Sequence, residues 1–208
     1  MHTRPLPHPV RARLLEGPRL LACLSLALLL MAATPLLVLP DLVPALRLAI
    51  RLTARSSWLL FLLVFTASAA ARHWPGALTR WQLRNRRHLG LAFAVSHTIH
   101  LAAILGFASL DPAGFHQASS PGNQITGGIA YGFIALMALS SSDTVAAWLG
   151  RKTWGRLHTA GIYYLWISFM VTFGKRIPMS ASYAVPVVIL LLALAFRLWP
   201  KPKPRLTA

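Results

Sequence analysis

The sequence predicts an all-α membrane protein, a six-transmembrane-helix bundle with both termini cytoplasmic. Only 12% of its 208 residues are charged and 56% are hydrophobic, with a mean hydropathy of +0.57, whereas soluble domains carry about 25% charged residues. The apolar residues form long uncharged blocks, which excludes an ordinary soluble domain. The net charge of +17 could suggest a nucleic-acid partner. The basic residues only punctuate the apolar blocks, so no nucleic acid is expected.

Six blocks are candidate spans, because a helix needs about 20 apolar residues to cross a bilayer. They cover residues 20–40, 56–71, 89–110, 125–150, 157–174 and 179–196. Together they form one transmembrane domain, residues 20–199, between two basic tails that are predicted to be disordered and to face membrane lipid. The tails are residues 1–19 and 200–208.

The basic residues in the flanks set the predicted orientation. With both termini inside, the cytoplasmic side holds 16 Lys and Arg residues and the outer side holds 5, which agrees with the positive-inside rule. Three of the outer arginines recur every fourth residue before the second span. This spacing predicts an interfacial helix lying flat on the membrane, with one face formed by Arg47, Arg51 and Arg55.

Four of the eight histidines lie on the third and fifth predicted helices, and ionisable groups within spans are costly enough to indicate function. These two helices run parallel, so depths can be compared directly. His88 and His158 lie at the inner boundary. His97 and His100 lie about 13 and 18 Å deeper than His88, and their i, i+3 spacing places them on one helix face.

Histidines at matched depths on facing helices are typical of a b-type haem with one imidazole on each side of the iron. The spacing favours an inner site between His88 and His158. An outer site has His100 or His97 on one helix but no matching histidine on the other. Helix–helix hydrogen bonding by the same imidazoles is the alternative. The propionates of an inner haem would be neutralised by boundary arginines, namely Arg86, Arg87 and Arg156.

Two segments resemble the ferric reductase-like transmembrane family. Residues 86–93, Arg-Arg-His-Leu-Gly-Leu-Ala-Phe, followed by His100, resemble its Arg-Arg-x-Leu-Gly-Leu segment. Residues 154–158, Trp-Gly-Arg-Leu-His, resemble its Trp-x-x-Leu-His segment. The similarity covers residues 52–199 and is greatest to the MsrQ-type branch, the haem-binding membrane subunits of bacterial methionine sulfoxide reductase systems.

The resemblance implies a bacterial inner-membrane bundle with one or two b haems. By position, His100 matches the deep ligand on the third helix, His158 the inner ligand on the fifth, and Arg86 the first motif arginine. The family's second histidine on the fifth helix falls at Val171, which cannot ligate. The expectation is therefore one firmly held haem, or a rearranged pair in which the additional histidines compensate, His88 and His97.

The resemblance also implies a cytochrome b-like electron-transfer subunit rather than a complete enzyme. The sequence has no Gly-rich nucleotide loop and hence no flavin or nicotinamide domain. Electrons would come from a cytoplasmic flavin reductase or from quinol, and would leave to a periplasmic acceptor protein or metal ion. The alternative is a haem-free membrane anchor or assembly subunit of the same fold, which the valine at position 171 favours. A transporter fits less well, because Pro35 and Pro186 do not form matched breaks in two repeats.

Overall fold

The computed structural model describes residues 16–200, which are almost entirely helical and contain no strand. The predicted all-helical class is thereby confirmed. Most of both predicted tails lies outside the described residues, although the first helix begins at Gly17 rather than at residue 20. The helices are α1 Gly17–Val38, α2 Leu42–His73, α3 Ala77–Arg84, α4 Arg86–Leu110, α5 Pro112–Ala118, α6 Pro121–Leu139, α7 Asp143–Gly174 and α8 Ala184–Leu198, the last preceded by a 3-10 turn, Ala181–Tyr183.

Several helices are long and apolar enough to cross a membrane. Four qualify individually, namely Gly17–Val38, Leu42–His73, Arg86–Leu110 and Ala181–Leu198. A fifth candidate is the pair formed by α6 and α7, which is bent by 113° at the turn between them. A multi-pass membrane protein agrees with these lengths, whereas the six crossings and the cytoplasmic termini remain predictions.

The interfacial helix before the second span is not a separate element. It is the first part of α2, a continuous helix of 32 residues and about 48 Å, because no Gly or Pro interrupts the chain between Pro44 and Pro75. Ala45, Ala49 and Thr53 are buried on one face of this segment. The opposite face exposes the three outer arginines, Arg47, Arg51 and Arg55.

The fourth span was predicted to cover residues 125–150, and its C-terminal boundary is wrong. Helix α6 ends at Leu139, and α7 begins at Asp143 after a short serine turn in which the Ser142 hydroxyl accepts a hydrogen bond from Val145 N. Within α7, Gly150 has a φ of 73°, a left-handed conformation that favours glycine. This residue therefore divides α7 into a short first part and a long second part, residues 151–174.

The long part of α7 packs antiparallel to α6. At one end of this hairpin, Ser140 Oγ and His158 Nε2 are 3.0 Å apart. At the other end, Lys175 Nζ donates to Asn123 Oδ1 at 2.8 Å. Partial burial and the neighbouring Arg176 lower the pKa of Lys175.

The centre of the bundle is the packing of α2 against α4, with α1 covering one side of this pair and α8 contacting α2 and α7. Small hydroxyl residues allow the two backbones to approach closely. Ser57 Oγ donates to Ser96 Oγ at 2.8 Å, and both residues are fully buried. Aromatic side chains fill the core beside this contact, namely Phe61, Phe65, Phe93 and Phe169.

Gly161 allows α6 and α7 to approach closely. A Cβ atom at this position would lie 2.6 Å from Met137 Sδ and 3.2 Å from Phe133 Cδ1. We expect Gly161→Val to lower the unfolding free energy by about 1–3 kcal/mol through overpacking, measured as a lower melting temperature in detergent. Gly132→Val is the control, because a Cβ atom there has no neighbour within 4 Å. Equal melting temperatures for the two variants would contradict this account of the interface.

Candidate functional site

A cavity of about 500 Å³ lies between α2, α4, α6 and α7, near the end of the bundle that holds Arg86. Its volume is within the range of about 300–1,000 Å³ that is usual for small-molecule sites. The backbones of α4 and α7 do not pack closely on each other across it. Its apolar wall includes Phe61, Val64, Phe93, Ile134, Met137, Ile162 and Leu165.

One face of α4 forms a wall of the cavity, and this face carries Arg86, Gly90 and Phe93. Since each helical residue turns by about 100°, His88 lies on the opposite side of α4. It does not line the cavity, and its Nδ1 atom is buried without a hydrogen-bond partner in the described part of the chain. The structure therefore does not bring together the predicted inner pair, His88 and His158.

His158 lies in the cavity wall and is held on two sides. Its Nε2 atom is 3.0 Å from Ser140 Oγ. The Trp154 ring stacks on the imidazole with centroids 4.1 Å apart and 27° between the planes. The Trp154 Nε1–H group donates to Ser140 O at 2.9 Å, so the turn between α6 and α7 fixes both rings. The i, i+4 spacing of Trp154 and His158 is the sequence signal for this stack.

Three arginines, Arg86, Arg87 and Arg197, line the cavity, and Asp143 is the one acidic residue of its lining. Asp143 accepts a hydrogen bond from Arg87 Nη1 at 2.9 Å. Arg86 Nη1 donates to Ser68 Oγ at 3.2 Å. The cavity is therefore apolar along its walls and positively charged at one end, which suits an apolar ligand that carries acidic groups.

Arg197 is the cavity arginine that the sequence does not indicate, because it stands among the basic residues at the C-terminal end of the chain. It extends from α8, where its Nη1 atom donates to Phe65 O at 2.6 Å. Its Cζ atom lies 4.7 Å from the Phe65 ring centroid and 5.7 Å from that of Tyr163. Only the packing of α8 against α2 and α7 places this side chain at the cavity.

Arg156 was predicted to contact the propionates, but the structure places it elsewhere. It is exposed and lines a separate, open surface groove with Lys152 and Thr159. It lies two residues before His158, which corresponds to about half a helical turn. Arg156 therefore faces away from the cavity, whose cationic end is completed by Arg197 instead.

His97 and His100 follow the cavity-lining face of α4 at greater depth, but neither lines the cavity. The His97 ring packs between aromatic rings, with its centroid 4.6 Å from Phe93 and 6.1 Å from Phe169. Its Nδ1 atom is buried without a hydrogen-bond partner among residues 16–200. His100 differs, since its Nδ1 atom is 2.9 Å from Thr53 Oγ1.

Val171, which stands where the resemblance expects a histidine, is 56% exposed. It follows His158 by 13 residues and so lies on the other side of the helix. Met170, the second residue at the matching depth, is half-buried and packs against the apolar core. At this depth the interior is occupied by Phe169.

The residues of the cavity fit one b haem. An imidazole lies in one wall, three guanidinium groups lie at one end, and the remaining surface is largely apolar. A haem iron takes its equatorial ligands from the porphyrin, so one or two protein side chains complete its coordination. Within residues 16–200 there is no cluster of three or more His, Cys, Asp or Glu side chains that could hold a free metal ion.

Comparisons with protein-family models, with curated proteins and with solved structures give no match to this chain.

Proposed function

We propose that the protein is a b-type cytochrome subunit of the ferric reductase-like, MsrQ-type kind. It would pass electrons from a cytoplasmic flavin reductase or quinol to an outer acceptor protein or metal ion. The observation that supports this proposal most is the cavity that combines His158 with Arg86, Arg87 and Arg197.

Each part of the cavity has a distinct role in this proposal. His158 would hold the haem iron through its imidazole, which the stacked Trp154 ring orients. The guanidinium groups of Arg86 and Arg197 bind carboxylates through charge-assisted hydrogen bonds. The apolar walls exclude water, and the bound haem supplies reversible one-electron chemistry. Ligation through Nε2 requires His158 to give up its hydrogen bond to Ser140.

We further propose six crossings in a bacterial inner membrane, with both termini cytoplasmic. The antiparallel packing of α6 on the long part of α7 supports two crossings, because residues 121–139 and 151–174 are each close to the length that a span needs. The excess of basic residues on one side supports the orientation. Exposed basic residues at the Arg86 end would attract an acidic electron donor, among them Arg80, Arg84, Arg151 and Lys152.

A haem-free membrane anchor or assembly subunit is the second candidate. Two observations favour it. Val171 stands at the position where the resemblance expects a ligand, and its side chain faces outward. His158 Nε2 already has a hydrogen-bond partner in Ser140.

A dithionite-reduced minus oxidised absorbance spectrum distinguishes the two candidates. The protein is expressed with supplemented haem precursor and purified in detergent, and haem is measured per chain. We expect a b-type band with at least one haem per chain, because the cavity has the volume and the charges for one. An unrelated multi-pass protein from the same host is the control for adventitious haem. A blank spectrum from folded protein would reject the cytochrome and leave the anchor.

A further inference from the structure

Three arginines of α2 form an exposed row at the end of the bundle away from Arg86. Arg47, Arg51 and Arg55 recur at every fourth residue, so they lie on one face of the helix, named here the arginine face. Arg47 Cζ lies 5.3 Å from the Phe107 ring centroid. Both ion pairs within residues 16–200 involve other arginines, and the side chains of Arg51 and Arg55 have no hydrogen-bond partner in this part of the chain. The arginine face therefore has no acidic counter-charge among the described residues.

The packing of α2 on α4 places the arginine face at membrane depth. The contact between Arg47 and Phe107 makes Arg47 level with the last turn of α4. Arg51 and Arg55 lie about 6 and 12 Å closer to the middle of the bundle. Large apolar side chains are more than half exposed near the height of Arg47 or farther out, namely Leu42, Leu105 and Leu110. A surface that exposes leucines at this height lies in the lipid layer, so the two deeper arginines lie within it as well.

Arginines at this depth need an anionic partner that the lipid layer itself supplies. A charged side chain in contact with lipid is costly, and the cost falls when the side chain extends to the headgroup region. A guanidinium group binds phosphate through two parallel charge-assisted hydrogen bonds. Neighbours at i, i+4 are about 6 Å apart, so Arg51 and Arg55 can both contact one headgroup. An acidic soluble protein would have to enter the lipid layer to contact Arg55, so depth and charge together favour a phospholipid.

The surface deeper along α2 fits the acyl chain of such a lipid. Leu59 and Leu63, named here the leucine row, follow Arg55 at i+4 and i+8, and their side chains are 55% and 40% exposed. They lie about 6 and 12 Å deeper than Arg55. On the neighbouring side of the helix, Trp58 packs against Phe173 near the end of α7, with ring centroids 5.9 Å apart. Helix α7 thus covers that side of α2 and leaves the leucine row open to lipid. A cationic row that continues into an exposed apolar row is complementary to an anionic amphiphile.

We propose that the arginine face and the leucine row form a binding site for one anionic phospholipid. The phosphate contacts Arg51 and Arg55, Arg47 adds positive charge toward the end of the helix, and an acyl chain lies along Leu59 and Leu63. The bound lipid neutralises charges that the described chain leaves unpaired and fixes the height of α2 in the membrane. The site needs no haem, so its test is independent of the proposed cytochrome.

The site is tested on the full-length chain in detergent, titrated with phosphatidylglycerol or with phosphatidylcholine of the same acyl chains. Bound lipids are counted for each chain by native mass spectrometry. We expect the parent to retain at least one more phosphatidylglycerol than phosphatidylcholine. Arg51→Gln and Arg55→Gln should each weaken the binding of this lipid about fivefold, and the double variant about 25-fold. Lysine at both positions should keep most of the binding, because the charge is retained.

Arg19→Gln is the matched control, because it removes one exposed arginine from the opposite end of the bundle, where α1 begins. Leu59→Asn tests the leucine row and should weaken lipid binding without a change of charge. Equal retention of the two lipids by the parent, or equal losses in Arg19→Gln and Arg51→Gln, would overturn the proposal. Displacement of the lipid by an equal concentration of inorganic phosphate would also overturn it, because a site for the phosphate alone needs no leucine row. A parent that binds polyglutamate and not phosphatidylglycerol would assign the arginine face to an acidic protein instead.

Discussion

We expect that replacing His158 with alanine lowers the haem content of the proposed cytochrome by one haem per chain. His158 is the one histidine among the residues that line the cavity, and the thioether of Met137, the other lining group that is a usual haem ligand, lies on α6 rather than on the wall that α7 forms. We expect the dithionite-reduced b-type band to fall by the corresponding share, and to vanish if the parent holds a single haem. The measurement is the reduced minus oxidised spectrum, normalised to protein and accompanied by a thermal melt.

His88→Ala is the matched control for this experiment. His88 was predicted from depth to be the partner of His158, but it lies on the other side of α4 and does not line the cavity. We expect this variant to keep the haem content of the parent. If His88→Ala removed haem and His158→Ala did not, the cavity described above would be the wrong site.

The difference between these two histidines shows what the sequence could and could not predict. Distance along the helix predicts the depth of His88 and His158, because it depends only on the rise per residue. The direction of a side chain around the helix axis decides which residues line the cavity. Arg86, Gly90, Phe93 and His97 follow the i, i+3, i+4 rule, which the sequence itself contains. The same rule turns His88 and Arg156 away from the cavity-lining faces of their helices, so the sequence itself contains the reason that neither lines the cavity.

Other features depend wholly or partly on packing between distant residues. The turn at residues 140–142 interrupts an apolar block that has no proline. It forms because the Ser142 hydroxyl caps the next helix and the Ser140 carbonyl accepts from Trp154 Nε1. The contact between Thr53 and His100 joins residues 47 positions apart. Predicting this contact requires the register of α2 against α4, and that register depends on close contacts between small side chains.

We expect Arg197→Gln to weaken haem binding in the cavity more than the corresponding glutamine substitutions of the other arginines do. The guanidinium group is held by Phe65 O and by the faces of Phe65 and Tyr163, so it is preorganised at the cavity. Hydrogen bonds to charged groups contribute about 1.5–3 kcal/mol, which corresponds to an affinity loss of about 10- to 100-fold. Haemin titration of the variant, at constant salt, measures the loss directly.

Arg156→Gln is the control, since it removes the same charge from the same end of the molecule at a side chain that faces away from the cavity. If haemin affinity depended only on the positive potential of this end, the two variants would lose equal affinity. Raised salt would then abolish the difference in affinity between each variant and the parent. We expect instead that Arg197→Gln weakens haemin binding and that Arg156→Gln does not. The double variant with Arg86→Gln and Arg197→Gln should bind haemin more weakly still. Since Arg197 also donates to the backbone of α2, a melt of the haem-free protein separates lost stability from lost affinity. An unchanged melting temperature with weakened haemin binding assigns Arg197 to the ligand.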